Sequence, residues 1–240
     1  MQDVSTTSTA EPPRPRPLRV AMLLYPGLTL LDLIGPQQAL GMHGHTDLVW
    51  KTGDAVTSDT GVSVLPTATF AECPRDLNVL FVPGGPGTPD VMEDQEVLDF
   101  LADRASRAEY VTSVCTGSLI LAAAGLLDGY RAATHWAARD ALAAFGVEVM
   151  DERVVFDRNR VTGGGVTAGI DFGLLLLSQL RGERVARLTQ LAMEYDPRPP
   201  FDAGSPTAAG PELTAAVRGF MQGEDRMARV AAAYRTRVAA

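Results

Sequence analysis

A strand that runs straight into a helix is the local event that most restricts this chain. In YVTSVCTGSLILAAAGLL, residues 110–127, an apolar strand stops at Val114, a helix of small and apolar residues follows, and Cys115 stands at the junction. Such a junction commits its strand to parallel pairing, because the helix must carry the chain back across the sheet before the next strand can join it. The same alternation recurs elsewhere. LRVAMLL (Leu18 to Leu24) is a continuous apolar run ended by Tyr25-Pro26-Gly27, the pattern of a strand covered on both faces. A helix is predicted over about Leu30 to Leu40. Strands are predicted at Asp47 to Thr52, Val62 to Pro66 and Asn78 to Pro83. An acidic-then-basic helix over about Asp94 to Arg107 suits the helix dipole. Val154 to Thr162 reads as a hairpin around Asp157-Arg158-Asn159, and Gly163 to Gly165 lead into an apolar helix, Ala168 to Leu180. The expected fold class is therefore α/β, a doubly wound and mostly parallel sheet.

The ends differ in character. Residues 1–17 hold four prolines and few bulky apolar groups, so they cannot repay the entropy of ordering and are expected to form a disordered arm. Residues 18–240 are expected to form one α/β domain. In its tail, Glu194 to Glu212 reads as a loop, followed by a helix over about Leu213 to Val238. Apolar groups at Val217, Phe220, Met221, Met227, Val230 and Tyr234 make one stripe on that helix, which points to docking on the core or on a partner subunit. No helix-turn-helix module is evident after Gly182.

Composition excludes several function classes. The net charge of -8 disfavours nucleic acid and anionic lipid as partners. The longest apolar runs are too short to span a membrane, and no apolar run behind basic charge marks an export signal, so a cytoplasmic location is expected. Two cysteines, Cys73 and Cys115, make no disulfide framework and suit a reducing compartment. With three histidines and one lysine, multi-histidine metal sites are disfavoured, and any Schiff base would have to rest on Lys51. His43 and His45 flank Gly44 as two potential ligands, a set that more often means solvent exposure; no metal is expected.

Four features carry potential chemistry. Cys115 occupies a nucleophile elbow, a strained turn that projects a side chain above the carboxyl edge of the sheet. There the amides and dipole of the next helix are expected to lower its pKa; the alternative is a buried, inert cysteine. In FVPGGPGTPD the pair Gly84-Gly85 ends a strand, and the amides of Gly85 and Thr116 could form an oxyanion-type site; a plain turn also fits. The spacing is not that of a phosphate-binding loop. Asp32, in GLTLLDLIGP, is an acid within an apolar stretch, and reads equally as a buried proton-transfer group or as a solvated or capping aspartate. His135, in ATHW, has a route to the thiol as a Cys/His dyad, or is a structural histidine on a strand. Asp171 is explained by the first turn of its helix, and Cys73 reads as structural.

The segments VAMLLYPGLTLLDLIGP, FVPGGPGT, YVTSVCTGSLILAAAGLLDGYRAATHW and VTGGGVTAGIDFG, in this order, resemble the ThiJ/PfpI superfamily and, within it, its isonitrile (isocyanide) hydratases. The likeness runs through AMEYDPRPPFDAGSP and covers roughly Leu18 to Pro206. It implies a flavodoxin-like sandwich, usually homodimeric, in which Cys115 matches the nucleophile, Asp32 the carboxyl group beside it and Thr116 the residue after the nucleophile. Peptidase-like members usually carry histidine where Thr116 stands, which argues against a proteolytic dyad. The implied activity is hydration of an isonitrile to an N-substituted formamide through a cysteine thioimidate, with Asp32 as general acid/base, a small-molecule substrate and no cofactor. The same motifs occur in ligand domains of AraC-type regulators, so a redox or ligand sensor, or an effector-type domain, is the alternative.

Overall fold

The computed structural model describes residues 16–220 and 224–238. The expected disordered arm, apart from Arg16 and Pro17, lies outside the described residues. The chain opens with β1 (Leu18–Leu23), α1 (Leu30–Gly41), β2 (Gly44–Trp50), β3 (Val56–Thr57), β4 (Ser63–Val64) and β5 (Ala68–Thr69). It continues through β6 (Val79–Val82), α2 (Thr88–Met92), α3 (Gln95–Ala105), β7 (Tyr110–Val114), α4 (Gly117–Ala123) and β8 (Arg131–Ala132). Next come a single 3-10 turn (Trp136–Ala138), α5 (Arg139–Ala144), β9 (Glu148–Val149), β10 (Val154–Asp157) and β11 (Arg160–Gly163). Four helices complete it: α6 (Ala168–Arg181), α7 (Glu183–Ala192), α8 (Pro206–Phe220) and α9 (Glu224–Val238).

Seven strands form the main sheet in the order β10-β11-β7-β6-β1-β2-β5. Every pairing in it is parallel except β10 with β11, the hairpin expected around Asp157. This is the doubly wound, flavodoxin-like arrangement. From β1 the chain steps outward to β2 and then returns to the other side as β6, so the order reverses between β1 and β6. Crevices at the carboxyl ends of strands beside such a reversal are where open α/β sheets bind ligands. The central strands are buried on both faces: all of β6 is solvent-inaccessible, as are nearly all side chains of β1 and β7. Helices α1, α6 and α7 pack together as one layer, while α4 is surrounded by α2, α3, α5 and α9.

Local chemistry accounts for element ends. The Asp94 carboxylate accepts from the Val97 amide and caps α3, while Arg104 near its other end buries its guanidinium against the carbonyls of Phe70 and Cys73. The strand expected over Val62 to Pro66 is only the short β4. The single helix expected over about 213–238 is instead two, α8 and α9, and α8 starts inside the expected loop, with Gly210 at φ 79° breaking it into two segments. Proline and glycine there mark the kink rather than an absence of helix.

Gly117 lets α4 sit close over β6. A Cβ at this position would lie 2.2 Å from the Val82 carbonyl oxygen and 2.7 Å from that of Pro83. Gly117→Ala is therefore expected to lower the unfolding free energy by about 1–3 kcal/mol, as overpacking of a tight backbone contact does. Urea unfolding would show a lower midpoint at an unchanged m-value.

Candidate active site

Three loops leave the carboxyl edge beside the reversal: after β1, after β6 and after β7. The first two are tied by backbone hydrogen bonds, Thr29 N–H to Gly84 O at 2.8 Å and Gly87 N–H to Gly27 O at 3.1 Å, and the Gly85 amide joins the second to the third through Thr116 Oγ1. Gly85 takes φ 145°, and a Cβ on it would lie 2.4 Å from Gly27 O and 2.5 Å from Thr29 N, so only glycine permits this closeness.

Cys115 is at the elbow, with φ 54°, one of three non-glycine residues with positive φ among the described residues. Such a conformation costs on the order of 1–3 kcal/mol and persists because surrounding bonds over-determine it. Those bonds are visible: the Cys115 amide donates to Gly164 O at 2.8 Å, and its carbonyl accepts from Thr134 Oγ1 at 2.9 Å and Ser118 Oγ at 3.2 Å. The sulfur meets the Thr116 and Val166 amides and the Asp32 carboxyl group.

Asp32 lies in the first turn of α1 and is fully buried, not solvated. Its Oδ2 accepts the Gly84 amide at 2.9 Å, while Oδ1 has no partner of full hydrogen-bond geometry and the carboxyl group interacts with the thiol. Burial raises the Asp32 pKa from 3.8 to about 7, against the opposing pull of the Gly84 amide and the thiol. Asp59, which bonds the Leu30 amide at 3.4 Å, adds a further rise by like charge.

The expected lowering of the Cys115 pKa is corrected by this geometry. Complete burial, and then the charge of Asp32, push the thiol well above its usual range; the Thr116 and Val166 amides pull down without prevailing. The thiol is thus a weaker acid than a solvated cysteine.

The oxyanion role expected of Gly85 also changes. Its amide donates to Thr116 Oγ1 at 2.9 Å and so is already engaged. Thr116 Oγ1 lies 2.7 Å from Thr88 Oγ1, which is 3.3 Å from the Tyr25 hydroxyl, itself donating to Pro83 O at 2.9 Å. This buried chain fixes the Gly84-Gly85 loop against the elbow. Tyr25, Thr88 and the Val166 amide were not singled out from the sequence. Tyr25 and Val166 look like ordinary core positions there, and only Thr88, just past the glycine loop, carries a signal.

His135 is not on a strand. It caps the 3-10 turn, accepting the Ala137 amide at 3.3 Å on Nδ1, and its ring lies against Gly165. Burial, with Arg139 nearby, lowers its pKa, so the ring is neutral with its proton on Nε2. It faces the cavity that reaches Cys115 but is not among the groups bonded to the sulfur. That cavity, about 670 Å³, is lined by Thr29, Asp59, Gly85 and Thr116 and also by residues of α8 and α9.

The remaining candidates lie apart. Asp171 pairs with Arg153 besides sitting in the first turn of α6. His43 bonds Thr189 Oγ1 at 2.7 Å, and His45 bonds Asp47 at 2.9 Å. Cys73 is buried away from the site. No group of three or more potential metal ligands occurs among the described residues, and none of their helices is long and apolar enough to cross a membrane.

A flavodoxin-like sheet carrying a thiol at a strained elbow, with a buried carboxyl group against it, defines a thiol-carboxyl site at the switch point. The chain belongs to the DJ-1/PfpI family, whose model matches residues 18–179. It is 52% identical over 194 residues to the isonitrile hydratase of Pseudomonas putida, across 80% of this chain and 85% of that protein. The crystal structure of a ThiJ/PfpI family protein from Pseudomonas syringae matches with a TM-score of 0.88 at 48% identity, over 96% of this chain and 97% of that one. The HTH-type transcriptional regulator GbdR of Pseudomonas aeruginosa is 32% identical over 194 residues, 76% of this chain and 52% of the regulator.

An acid whose pKa is higher when folded binds more protons in the native state. The stability this confers is complete below about pH 4, where the unfolded chain is protonated too, and is lost as pH rises through about 7. Asp32→Asn keeps an acceptor for the Gly84 amide and removes the titration. The stability of the variant relative to wild type is expected to grow by roughly 2–4 kcal/mol between pH 4 and pH 8. Urea melts across that range check it; a constant difference would mean that the carboxyl group does not titrate there.

Proposed function

We propose that this protein is an enzyme that adds water to an isonitrile, R–NC, and releases the N-substituted formamide. The observation that carries this reading is the Cys115–Asp32 pair: a nucleophile and a carboxyl group titrating at about 7 in one buried site. The identity to the isonitrile hydratase of Pseudomonas putida, 52% over 80% of this chain, supports the choice of substrate.

The terminal isonitrile carbon accepts both a nucleophile and a proton, and no group leaves when it does. Asp32, in its ionised form, takes the thiol proton; the sulfur forms a bond to the carbon and the proton passes from Asp32 to that same carbon. The product is a thioimidate, Cys–S–CH=N–R. Asp32, ionised again, accepts a proton from water as its oxygen adds to the carbon, and delivers it to nitrogen. Cleavage of the C–S bond, with the hydroxyl proton returning to sulfur, gives HC(O)NHR and the starting thiol. The net change is R–NC plus water to formamide, and no step needs a metal or organic cofactor. The Thr116 and Val166 amides face the sulfur, where negative charge develops as the proton leaves. Gly85 is assigned the support of Thr116, and His135 a place in the cavity wall.

Exposed apolar side chains on the layer of α1, α6 and α7, among them Leu31, Ile34, Leu175 and Leu191, support the family's usual homodimer as part of this reading. The identity to GbdR favours a second one, an effector-type domain that binds a ligand without turning it over. Incubation with cyclohexyl isonitrile separates them: the enzyme yields N-cyclohexylformamide at many equivalents per chain. Cys115→Ala is expected to abolish turnover, and Asp32→Asn to lower kcat by 100-fold or more. Binding without formamide would favour the effector domain, and near-wild-type kcat in Asp32→Asn would move the acid/base role elsewhere.

A further inference from the structure

We propose that α8 and α9 form the substrate-selecting wall of the Cys115 cavity, with Val217, Phe220 and Met227 seating an apolar R group on the isonitrile; this rests on the isonitrile reading above. One cavity is lined both by Cys115, Thr116 and Asp59 and by these three apolar side chains and Arg226. Phe220 is 80% exposed and Val217 43%, large apolar groups at the mouth with little protein covering them, while Met227 is buried beneath. An isonitrile has a small polar NC end and an R group that carries the rest of its surface. With its terminal carbon at the sulfur, R extends toward α8 and α9 and removes that apolar surface from water.

The wall is fastened to the catalytic loops. Arg226 on α9 donates to Glu93 Oε2 through Nε at 2.9 Å and also pairs with Asp90. Asp90 lies on α2, the helix that follows the Gly84-Gly85 loop and contributes Thr88 to the chain holding Thr116. Further along α9, Tyr234 donates to Asp128 at 2.7 Å and packs on Phe145. The family match ends at residue 179, so both helices come after the part of the chain that the family model describes. Selection of R is thus assigned to a segment separate from the one that carries the chemistry.

The test compares kcat/KM for cyclohexyl and methyl isonitrile. Phe220→Ala is expected to lower the cyclohexyl-to-methyl ratio about tenfold, mainly through KM, as the loss of part of an aromatic contact implies. Leu65→Ala, a comparably exposed apolar site just after β4 and outside the cavity, is expected to leave the ratio unchanged. Equal ratios in both variants would overturn the wall. If wild type hydrates neither isonitrile, the isonitrile reading itself fails. The wall is then read without turnover, as the relative rates at which N-cyclohexylmaleimide and N-methylmaleimide alkylate Cys115, followed by mass of its peptide. A preference for the cyclohexyl reagent that Phe220→Ala erases supports an apolar wall, and one that Phe220→Ala leaves intact refutes it.

Discussion

Two acidic groups share one dry space, and the rest of the site answers to that fact. The Cys115 thiol and the Asp32 carboxyl group are both removed from water, which raises the pKa of each; the charge of Asp32 raises the thiol further, whereas the thiol's hydrogen bond draws Asp32 down. Ionising both would place two negative charges in a medium that hydrates neither. The pair therefore resists full deprotonation, and Asp32 changes state near neutrality, where a proton-transfer group is most effective. Among the described residues, the donors facing the pair are backbone amides of Gly84, Thr116 and Val166.

Backbone donors are useful only if the backbone is held, and much of the local structure does that. The elbow's positive φ is fixed by bonds to both its amide and its carbonyl. The loops after β1 and β6 approach so closely that a side chain at Gly85 has no room. Tyr25, Thr88 and Thr116 join the first, second and third loops through buried hydroxyls. A chain of satisfied polar groups in a low-dielectric interior is stiff, because each unmade bond leaves an unpaired buried atom. Parallel pairing supplies the common origin: it brings the ends of β1, β6 and β7 to one edge, side by side.

What the sequence revealed followed from how local each signal is. The elbow was legible because strand and helix abut at Val114 and Cys115, and β7 begins and ends where the apolar pattern does. Asp32 was ambiguous because an acid two residues into an apolar helix looks alike whether it faces water or a thiol. The sign of the Cys115 shift was misjudged for a physical reason: sequence shows the amides of the next helical turn but not the depth of burial, and burial dominates. For His135 the sequence leaves a Cys/His dyad and a structural histidine on a strand both open; β8 ends at Ala132 and the ring instead caps a turn. Val166 contributes an amide, which has no signature in residue type. For the last helices an apolar stripe was visible, but a stripe does not say what it covers.

That last gap bears on how the molecule divides its tasks. Residues within 18–179 supply the thiol, the carboxyl group and the amides around them, and in the proposed reaction these act on one carbon and its nitrogen, whatever R is. An enzyme that separates related substrates does so through contacts to the part in which they differ, and for isonitriles that part is R alone. A reaction centre stitched together by buried hydroxyls and crowded glycines has little freedom to vary without losing its geometry. Helices α8 and α9 have that freedom, since most of α8 is exposed and α9 meets the core along one face through Met227, Ala231 and Tyr234. Changes in their apolar residues alter the cavity's outer wall while leaving Cys115, Asp32 and the amides between them in place.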